Sequence, residues 1–346
     1  MQVCFQIQRQ SSERAPWVET YRLEANPSIT ILECLNQIKW EQDGSLAFRK
    51  NCRNTICGSC AIRVNGRAAL ACKETLQEEL DRLSASSFTS QSATTESGSI
   101  PTFKIQPMQN FPVIKDLVVE MGEFWKNLAQ VDPYVSTAGR SIPEREFLQL
   151  PSEREALDQV GNCILCGACY SECNSKAAIP EFVGPHALAK AYRVLADTRD
   201  NATSARLTDY TRDLSGVWGC TRCFNCNTAC PMGVAPLDQI TRIKSEILVQ
   251  TPEPQETRAI RHRRAMVDLV EQGGWIDERR FGLRVLGNRF RDFKGLWSLI
   301  PLGIRMLQRG KFPFSFAASE GTSAVRSLIH SIKMRESKSS KPENPS

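Results

Sequence analysis

The chain has 346 residues, 41% of them hydrophobic, with 44 Lys and Arg against 38 Asp and Glu for a formal charge of +6. That length allows two or three domains with cores of their own, and 14 cysteines, grouped and not scattered, exclude the disulfide framework of a short secreted protein in favour of metal ligation in a reducing compartment. No stretch approaches the ~20 apolar residues of a membrane-spanning helix, so any membrane contact is expected to be peripheral or through a partner.

The first ten residues alternate apolar Val3, Phe5 and Ile7 with polar neighbours and lack the apolar core of a signal peptide. They read as a strand in a protein that stays inside the cell. A second strand over residues 17–23 follows the polar stretch SSERAP, which makes the pair a hairpin. Thr30 and Glu33 fit a capping box, and Ile31, Leu35 and Ile38 follow at helical spacing, so a helix is expected to about Trp40. Cys34 within it and Cys4 before it read as core filler.

The stretch FRKNCRNTICGSCAIRVNGRAALACKE then sets Cys52, Cys57, Cys60 and Cys72 at C-x4-C-x2-C…C spacing, the pattern of plant-type [2Fe-2S] ferredoxins. Gly58, Ser59 and Ala61 are small enough to let backbone amides approach cluster sulfurs, where hydrogen bonds tune the potential. Asn65-Gly66 marks a type I′ hairpin that returns the chain so that Cys72 closes the site. A four-thiolate zinc site is the alternative, but structural zinc favours paired C-x2-C knuckles and this spacing fits them badly.

Residues 84–101 are Ser/Thr-rich and read as an exposed mobile loop. Phe103 and Ile105 resume the sheet. From Phe111 the period becomes helical, with Val113, Leu117, Met121, Trp125 and Leu128 on one apolar face, and a second domain is expected to begin about there.

Two further cysteine groups follow. GNCILCGACYSECN carries Cys163, Cys166, Cys169 and Cys173, and CTRCFNCNTACP repeats the C-x2-C-x2-C-x3-C spacing with Cys220, Cys223, Cys226 and Cys230. In the two-cluster ferredoxin signature each fourth cysteine ligates the other cluster. The expected sets are therefore Cys163, Cys166, Cys169 and Cys230 on one cluster, and Cys220, Cys223, Cys226 and Cys173 on its neighbour. Zinc could also accept such thiolates. Leu188, Ala191, Tyr192 and Leu195 line one helical face between the groups, and Leu237, Ile240, Ile243 and Ile247 line another after them. His186, between the groups, reads as structural and not as a ligand.

The charge is unevenly placed: residues 258–311 hold 13 Lys and Arg against 5 Asp and Glu, whereas residues 1–257 hold 26 against 30. A basic patch suits anionic lipid or an acidic protein face, and the absence of aromatic-rich RNA-binding signatures argues against nucleic acid. Trp275, Phe281, Trp297 and the apolar run over residues 296–304 interleave with these cations, as in an interfacial or partner-docked segment, with a solvated basic face as the alternative. RESKSSKPENPS at the end is expected to be disordered.

The three cysteine groups, together with NFPVIKDLVVEM, FVGPHALAKAYRVLADTRD and ACPMGV, resemble the iron-sulfur subunit of succinate dehydrogenase/fumarate reductase over roughly residues 1–250. The resemblance implies a β-grasp [2Fe-2S] ferredoxin domain over residues 1–106 and an α-helical two-cluster ferredoxin domain over 107–250, and with the basic helical extension over 251–334 and the disordered tail over 335–346 that charge and composition suggest, the chain is expected to be α+β. It implies no catalytic residue on this chain. Electrons would enter from a separate FAD-bearing flavoprotein subunit at the [2Fe-2S] cluster, pass to a [4Fe-4S] cluster on Cys163, Cys166, Cys169 and Cys230, and reach a third cluster and then a quinone. A membrane-anchor subunit or the membrane surface itself would hold the chain peripherally on the cytoplasmic side.

The chain departs from that family in three places. Cys223 stands where usual members have a non-cysteine residue and a [3Fe-4S] cluster, so the third cluster is expected to be [4Fe-4S], with [3Fe-4S] as the alternative should Cys223 turn away. Usual members place a proline after the counterpart of Cys173 and then two tryptophans near the quinone, where this chain has Asn174, Ser175, Lys176, Ala177 and Ala178; Thr221 replaces a usual histidine. Residues 251–346 extend past the usual end and resemble the C-terminal region of heterodisulfide-reductase-like subunits. The alternative function is thus the iron-sulfur subunit of a thiol-dependent fumarate reductase or heterodisulfide-reductase-like complex; a zinc-stabilised scaffold is the reading from a different class.

Overall fold

Alternation along the first strand decides where the sheet lies. In β1 (Gln2–Ser11) Val3, Phe5 and Ile7 are fully buried while their neighbours are half-exposed, as a two-residue period requires. The structure, a computed structural model, describes residues 1–11, 14–87, 100–211, 214–250, 258–288, 291–311 and 315–339. β2 (Arg14–Glu24) pairs antiparallel with β1. α1 (Ile31–Glu41) crosses next, starting from the expected capping box between Thr30 and Glu33 and burying Ile31, Leu32, Cys34, Leu35 and Ile38. β3 (Ala61–Val64) and β4 (Arg67–Leu70) form the second hairpin, turning on Asn65 at φ 50° and Gly66 at φ 82°, the two left-handed residues of a type I′ turn. α2 (Leu76–Ser87) precedes β5 (Thr102–Gln106), which runs parallel to β1 and antiparallel to β3, so the sheet order is β2-β1-β5-β3-β4.

Three sequence expectations need correction. The stretch read as a loop from Ser84 is helical to Ser87, and residues 88–99 lie outside the described residues. The helix expected from Phe111 begins only at Gly122: a short hairpin, β6 (Val113–Lys115) and β7 (Val118–Val119), comes first. Pro112 cannot donate to a helical ladder, and Asn110 at φ 62° and Asp116 at φ 48° turn the chain out of helical geometry. At the far end, the stretch read as a disordered tail is helical as far as Ser339, with residues 340–346 outside the described set.

Asp116, fully buried, ties that hairpin to the sheet. Its Oδ1 accepts from the Gln10 N–H at 3.2 Å and lies 3.0 Å from Arg9 Nε, and its Oδ2 accepts from the Ala47 N–H at 2.8 Å. Arg9 is buried too and is shared with Asp43, Glu19 and Tyr21. Ala47 opens the loop that carries Cys52, Cys57 and Cys60, so this buried ion group fixes where that loop leaves the sheet.

Helices follow: α3 (Gly122–Ala129), α4 (Pro151–Gly161), the short α5 (Ala168–Ser171) and α6 (Asn174–Ala178), α7 (Pro185–Leu195), α8 (Thr203–Tyr210), the short α9 (Asn225–Thr228) and α10 (Pro236–Gln250). α7 buries Leu188 and Ala191, and α10 buries Leu237, Ile240, Ile243 and Ile247, on the faces that the periodicity marked. Sheet and helices to Ile247 form one compact unit, and residues from Leu248 form another. The second unit comprises α11 (Arg258–Gly273), α12 (Glu278–Val285), α13 (Phe293–Gln308) and α14 (Thr322–Ser339). Its small core is Ile260, Ala265, Leu269 and Val285, and Lys333 of α14 pairs with Glu271 of α11 at 2.6 Å. Among the described residues no helix is long and apolar enough to cross a membrane.

Candidate metal centres

The first cysteine loop winds through left-handed backbone at Arg53 (φ 58°), Thr55 (φ 59°) and Gly58 (φ 68°), which turns its amides inward. The Cys57 and Asn54 N–H groups each donate to Cys52 Sγ at 3.3 Å, and the Cys52 N–H to Cys57 Sγ at 3.5 Å. Ser59 Oγ lies 3.1 Å from Cys57 Sγ. That hydroxyl, helped by the amides of Cys52 and Ser59, lowers the Cys57 thiol to about 6. Cys60 is the opposite case: burial pushes it up to about 12, with Cys72 and Cys57 as charged neighbours. The Ala71 N–H donates to Cys60 O at 3.1 Å, so the end of β4 carries Cys72 back beside Cys60. Cys52 and Cys57 thus bond each other's amides and Cys60 lies beside Cys72 and Cys57, with Cys52 exposed at the rim and Cys60 buried beneath.

The two later groups repeat not only in spacing but in backbone. Leu165 (φ 55°) and Gly167 (φ 83°) precede α5, and Arg222 (φ 59°) and Phe224 (φ 65°) precede α9. Each of the second pair lies 57 residues after its counterpart, as do Cys220, Cys223, Cys226 and Cys230 after Cys163, Cys166, Cys169 and Cys173. Phe224 adopts a left-handed conformation that costs a non-glycine residue of order 1 kcal/mol or more. The loop keeps that shape without the glycine its twin uses. Cys223 therefore occupies the backbone position that Cys166 occupies in the first loop.

Electrostatic neighbours sort these eight thiols into two sets. Burial pushes Cys166 up to about 11, with Cys230 and Cys163 adding to it. Cys169 is driven well up by burial, among Cys166, Cys163, Cys226 and Cys230. In the other set burial pushes Cys173 up to about 11 beside Cys220 and Cys223, and Cys226 up to about 12 beside Cys220, Cys173 and Cys223. The fourth cysteine of each group thus sits near the first three of the other, and Cys169 lies within electrostatic reach of Cys226 across the two sets. Cys163, Cys166, Cys169 and Cys230 also line one cavity with Met232 and Val234. Thiols so buried lose their protons only to a strong Lewis acid, and iron supplies one.

Several supporting residues carry no motif and went unread in the sequence. Lys190 Nζ donates to Cys163 O at 3.3 Å, Lys244 Nζ to Cys220 O at 3.1 Å, and Lys73 Nζ to Pro231 O at 3.0 Å, which places one cation behind each helical cluster loop and joins β4's exit to the second. Asn110 Nδ2 donates to the carbonyls of Tyr170, Ser171 and Cys173 at 2.8 to 3.1 Å. Arg63 of β3 pairs with Glu172 at 3.0 Å. The first and second cysteine groups touch at Gly58, where an added Cβ would lie 2.8 Å from both Cα and Cβ of Cys166. His186 proves structural as read: its Nε2 donates to Phe124 O at 2.9 Å, its ring stacks on Phe124 at 3.8 Å, and burial lowers it to about 3, so it is neutral. Ser175 and Thr221 satisfy each other, with hydroxyls 3.1 Å apart, and Lys176 pairs with Glu123 at 2.6 Å.

A family model described as a 2Fe-2S iron-sulfur cluster binding domain matches residues 4–126, and one described as a 4Fe-4S dicluster domain matches residues 159–234. The fumarate reductase iron-sulfur subunit of Mycobacterium tuberculosis is 35% identical over 237 residues, covering 68% of this chain and 88% of its own. The succinate dehydrogenase iron-sulfur subunit of Coxiella burnetii is 31% identical over 243 residues, covering 69% of this chain and 94% of its own. Among solved structures, a chain of the Mycobacterium smegmatis Sdh1 complex in the apo form shares the fold, with a TM-score of 0.62 at 20% identity over 74% of this chain and 99% of that one.

Proposed function

Since the chain belongs to the family of succinate dehydrogenase/fumarate reductase iron-sulfur subunits, we propose that it relays electrons between an FAD-bearing flavoprotein that interconverts succinate and fumarate and a quinone at the membrane. The observation that carries this reading is the unbroken series of cysteine sets: Gly58 of the first loop packs on Cys166 of the second set, and Cys169 of the second lies within electrostatic reach of Cys226 of the third. We assign the [2Fe-2S] cluster to Cys52, Cys57, Cys60 and Cys72, a [4Fe-4S] cluster to Cys163, Cys166, Cys169 and Cys230, and a second [4Fe-4S] cluster to Cys173, Cys220, Cys223 and Cys226. When bound, these groups supply one-electron redox centres. The chain's own residues hold the thiolates, turn amides toward them and keep water from the buried sides. No observation favours a thiol donor, and the relatives above are named for succinate dehydrogenase and fumarate reductase.

Electron entry belongs at the exposed rim of the first loop, where Cys52, Arg53, Asn54 and Ile56 reach the surface. This is the face the flavoprotein covers. Arg53→Glu is expected to weaken co-purification of the FAD subunit and lower succinate-to-dye activity together; unchanged values for both would place the docking face elsewhere. The function itself is tested by recovering the chain anaerobically from its own cells. A bound FAD subunit, acid-labile sulfide and succinate-dependent dye reduction are expected, and iron-free protein with no flavin partner would refute the reading.

A further inference from the structure

The second unit lies beyond both family models, neither of which reaches past residue 234, and its α13 presents an apolar stripe outward. Phe293, Trp297, Ile300, Ile304 and Leu307 recur at intervals of four, three, four and three residues, which puts them on one helical face. All five are exposed, Phe293 at 72% and Trp297 at 73%. They are not the helix's inner face. A Cβ on Gly295 would lie 1.8 Å from Leu286 O, one on Gly287 2.7 Å from Leu296 Cδ2, and one on Gly282 3.8 Å from Leu299. Gly295, Leu296 and Leu299 therefore pack on α12 and leave the stripe without a partner among the described residues. Two aromatic residues that the sequence suggested for the same surface have partners within the unit: Trp275, though 55% exposed, donates from Nε1 to Ala317 O at 2.7 Å, and Phe281 packs on His262 at 4.9 Å.

We propose that α13 lies in the headgroup layer of an anionic membrane and seats the chain directly on lipid. The argument for lipid is charge and shape together. Residues 293–308 contain no Asp or Glu, Lys294 and Arg305 flank the stripe, and Arg309 and Lys311 follow the end of the helix, all four exposed. Residues 258–311 as a whole hold 13 basic against 5 acidic side chains. A helix with tryptophan and aliphatic residues on one side and cations beside them partitions into the interface plane of negatively charged bilayers. It is too short to span: 16 residues make about 24 Å at 1.5 Å per residue, and Pro301 interrupts its ladder. The proposal deepens the membrane-directed part of the function above, yet its test reads lipid binding alone and needs no electron donor.

The test is flotation of the purified full chain, clusters loaded, with vesicles of phosphatidylcholine alone or mixed with phosphatidylglycerol. Wild type is expected to float with the anionic vesicles and to be released by salt. Trp297→Asp with Ile300→Asp, and separately Lys294→Glu with Arg305→Glu, are each expected to weaken partitioning by about ten-fold or more, at ~1 kcal/mol per basic residue near the surface. Unchanged visible absorption and circular dichroism in both variants report an intact fold. Binding to native membranes that survives protease shaving would support the proposal. No vesicle binding by wild type, equal binding by both variants, or binding to native membranes that shaving abolishes would overturn it, the last by showing that the stripe holds a protein. Loss of flavoprotein binding would leave these outcomes unaffected, so failure of the relay and failure of the lipid seat are told apart.

Discussion

Gly58→Ala is expected to break the step between the first and second cysteine sets while leaving the first set able to accept electrons. Two penalties coincide at this residue. Its φ of 68° is left-handed, which costs an L side chain about 1–2 kcal/mol, and the new methyl would stand 2.8 Å from the backbone Cα of Cys166. That neighbour cannot swing aside, because Leu165 and Gly167 hold its loop in a fixed left-handed turn and the residue is itself assigned to a cluster. The first loop must lift off the second. Rapid-freeze spectroscopy after mixing with succinate should then show the [2Fe-2S] signal reduced at near the wild-type rate while reduction of the other centres lags. Equal rates in variant and wild type would mean that Gly58 does not set the separation.

Arg9→Met is expected to destabilise the sheet strongly. Arg9 is 3% exposed and faces Asp116, which is 1% exposed, as well as Asp43 and Glu19. Burial alone would raise the Asp43 carboxyl, but hydrogen bonds from Ser45, Tyr21 and Arg9 hold it well below the usual range. Removing the cation leaves a buried carboxylate with only the N–H groups of Gln10 and Ala47, a situation that costs about 3–5 kcal/mol. Asp43 and Glu19 reach water and soften the loss, so the low end is expected, about 3 kcal/mol. For a unit of this size that lowers the melting temperature by roughly 6–12 °C. A thermal scan following the visible absorption checks it, since Ala47 opens the cysteine loop and the cluster should be lost with the sheet. A shift under about 2 °C, less than 1 kcal/mol on the same scale, would mean the ion group contributes little.

The parts of this molecule that sequence made legible are those where a local period or spacing has one physical solution. Val3, Phe5 and Ile7 could face one core only as a strand, Asn65-Gly66 could only turn a hairpin, and C-x2-C-x2-C-x3-C written twice folds twice into the same left-handed loop. The hairpin at residues 113–119 was misread because Val113, Leu117 and Met121 fit a helical period by chance, while the deciding residues were Pro112 and Asp116. Asn110, Lys73, Lys190 and Lys244 were invisible because their partners are backbone carbonyls, and any residue type can offer a carbonyl. The contact of Gly58 with Cys166 joins positions 108 residues apart, a distance no local pattern records. In the second unit, α13 carries apolar residues on two faces, so its sequence alone could not tell the one packed on α12 from the exposed one.

On the proposed assignment three cysteine sets form one relay whose last member is a complete four-thiolate site. Its weakest-looking member is Cys223, which is exposed, although it holds the position in its loop that Cys166 holds in the other, with the same left-handed residues on both sides. A fourth thiolate adds negative charge beside the cluster and moves its potential downward relative to a three-thiolate centre. Electron paramagnetic resonance of anaerobically purified, gently oxidised protein tests this most directly. Wild type should show no stoichiometric oxidised [3Fe-4S] signal, and Cys223→Ser should acquire one while the [2Fe-2S] signal on reduction stays unchanged. A full [3Fe-4S] signal in undamaged wild type, or its absence in Cys223→Ser with all iron retained, would contradict the account.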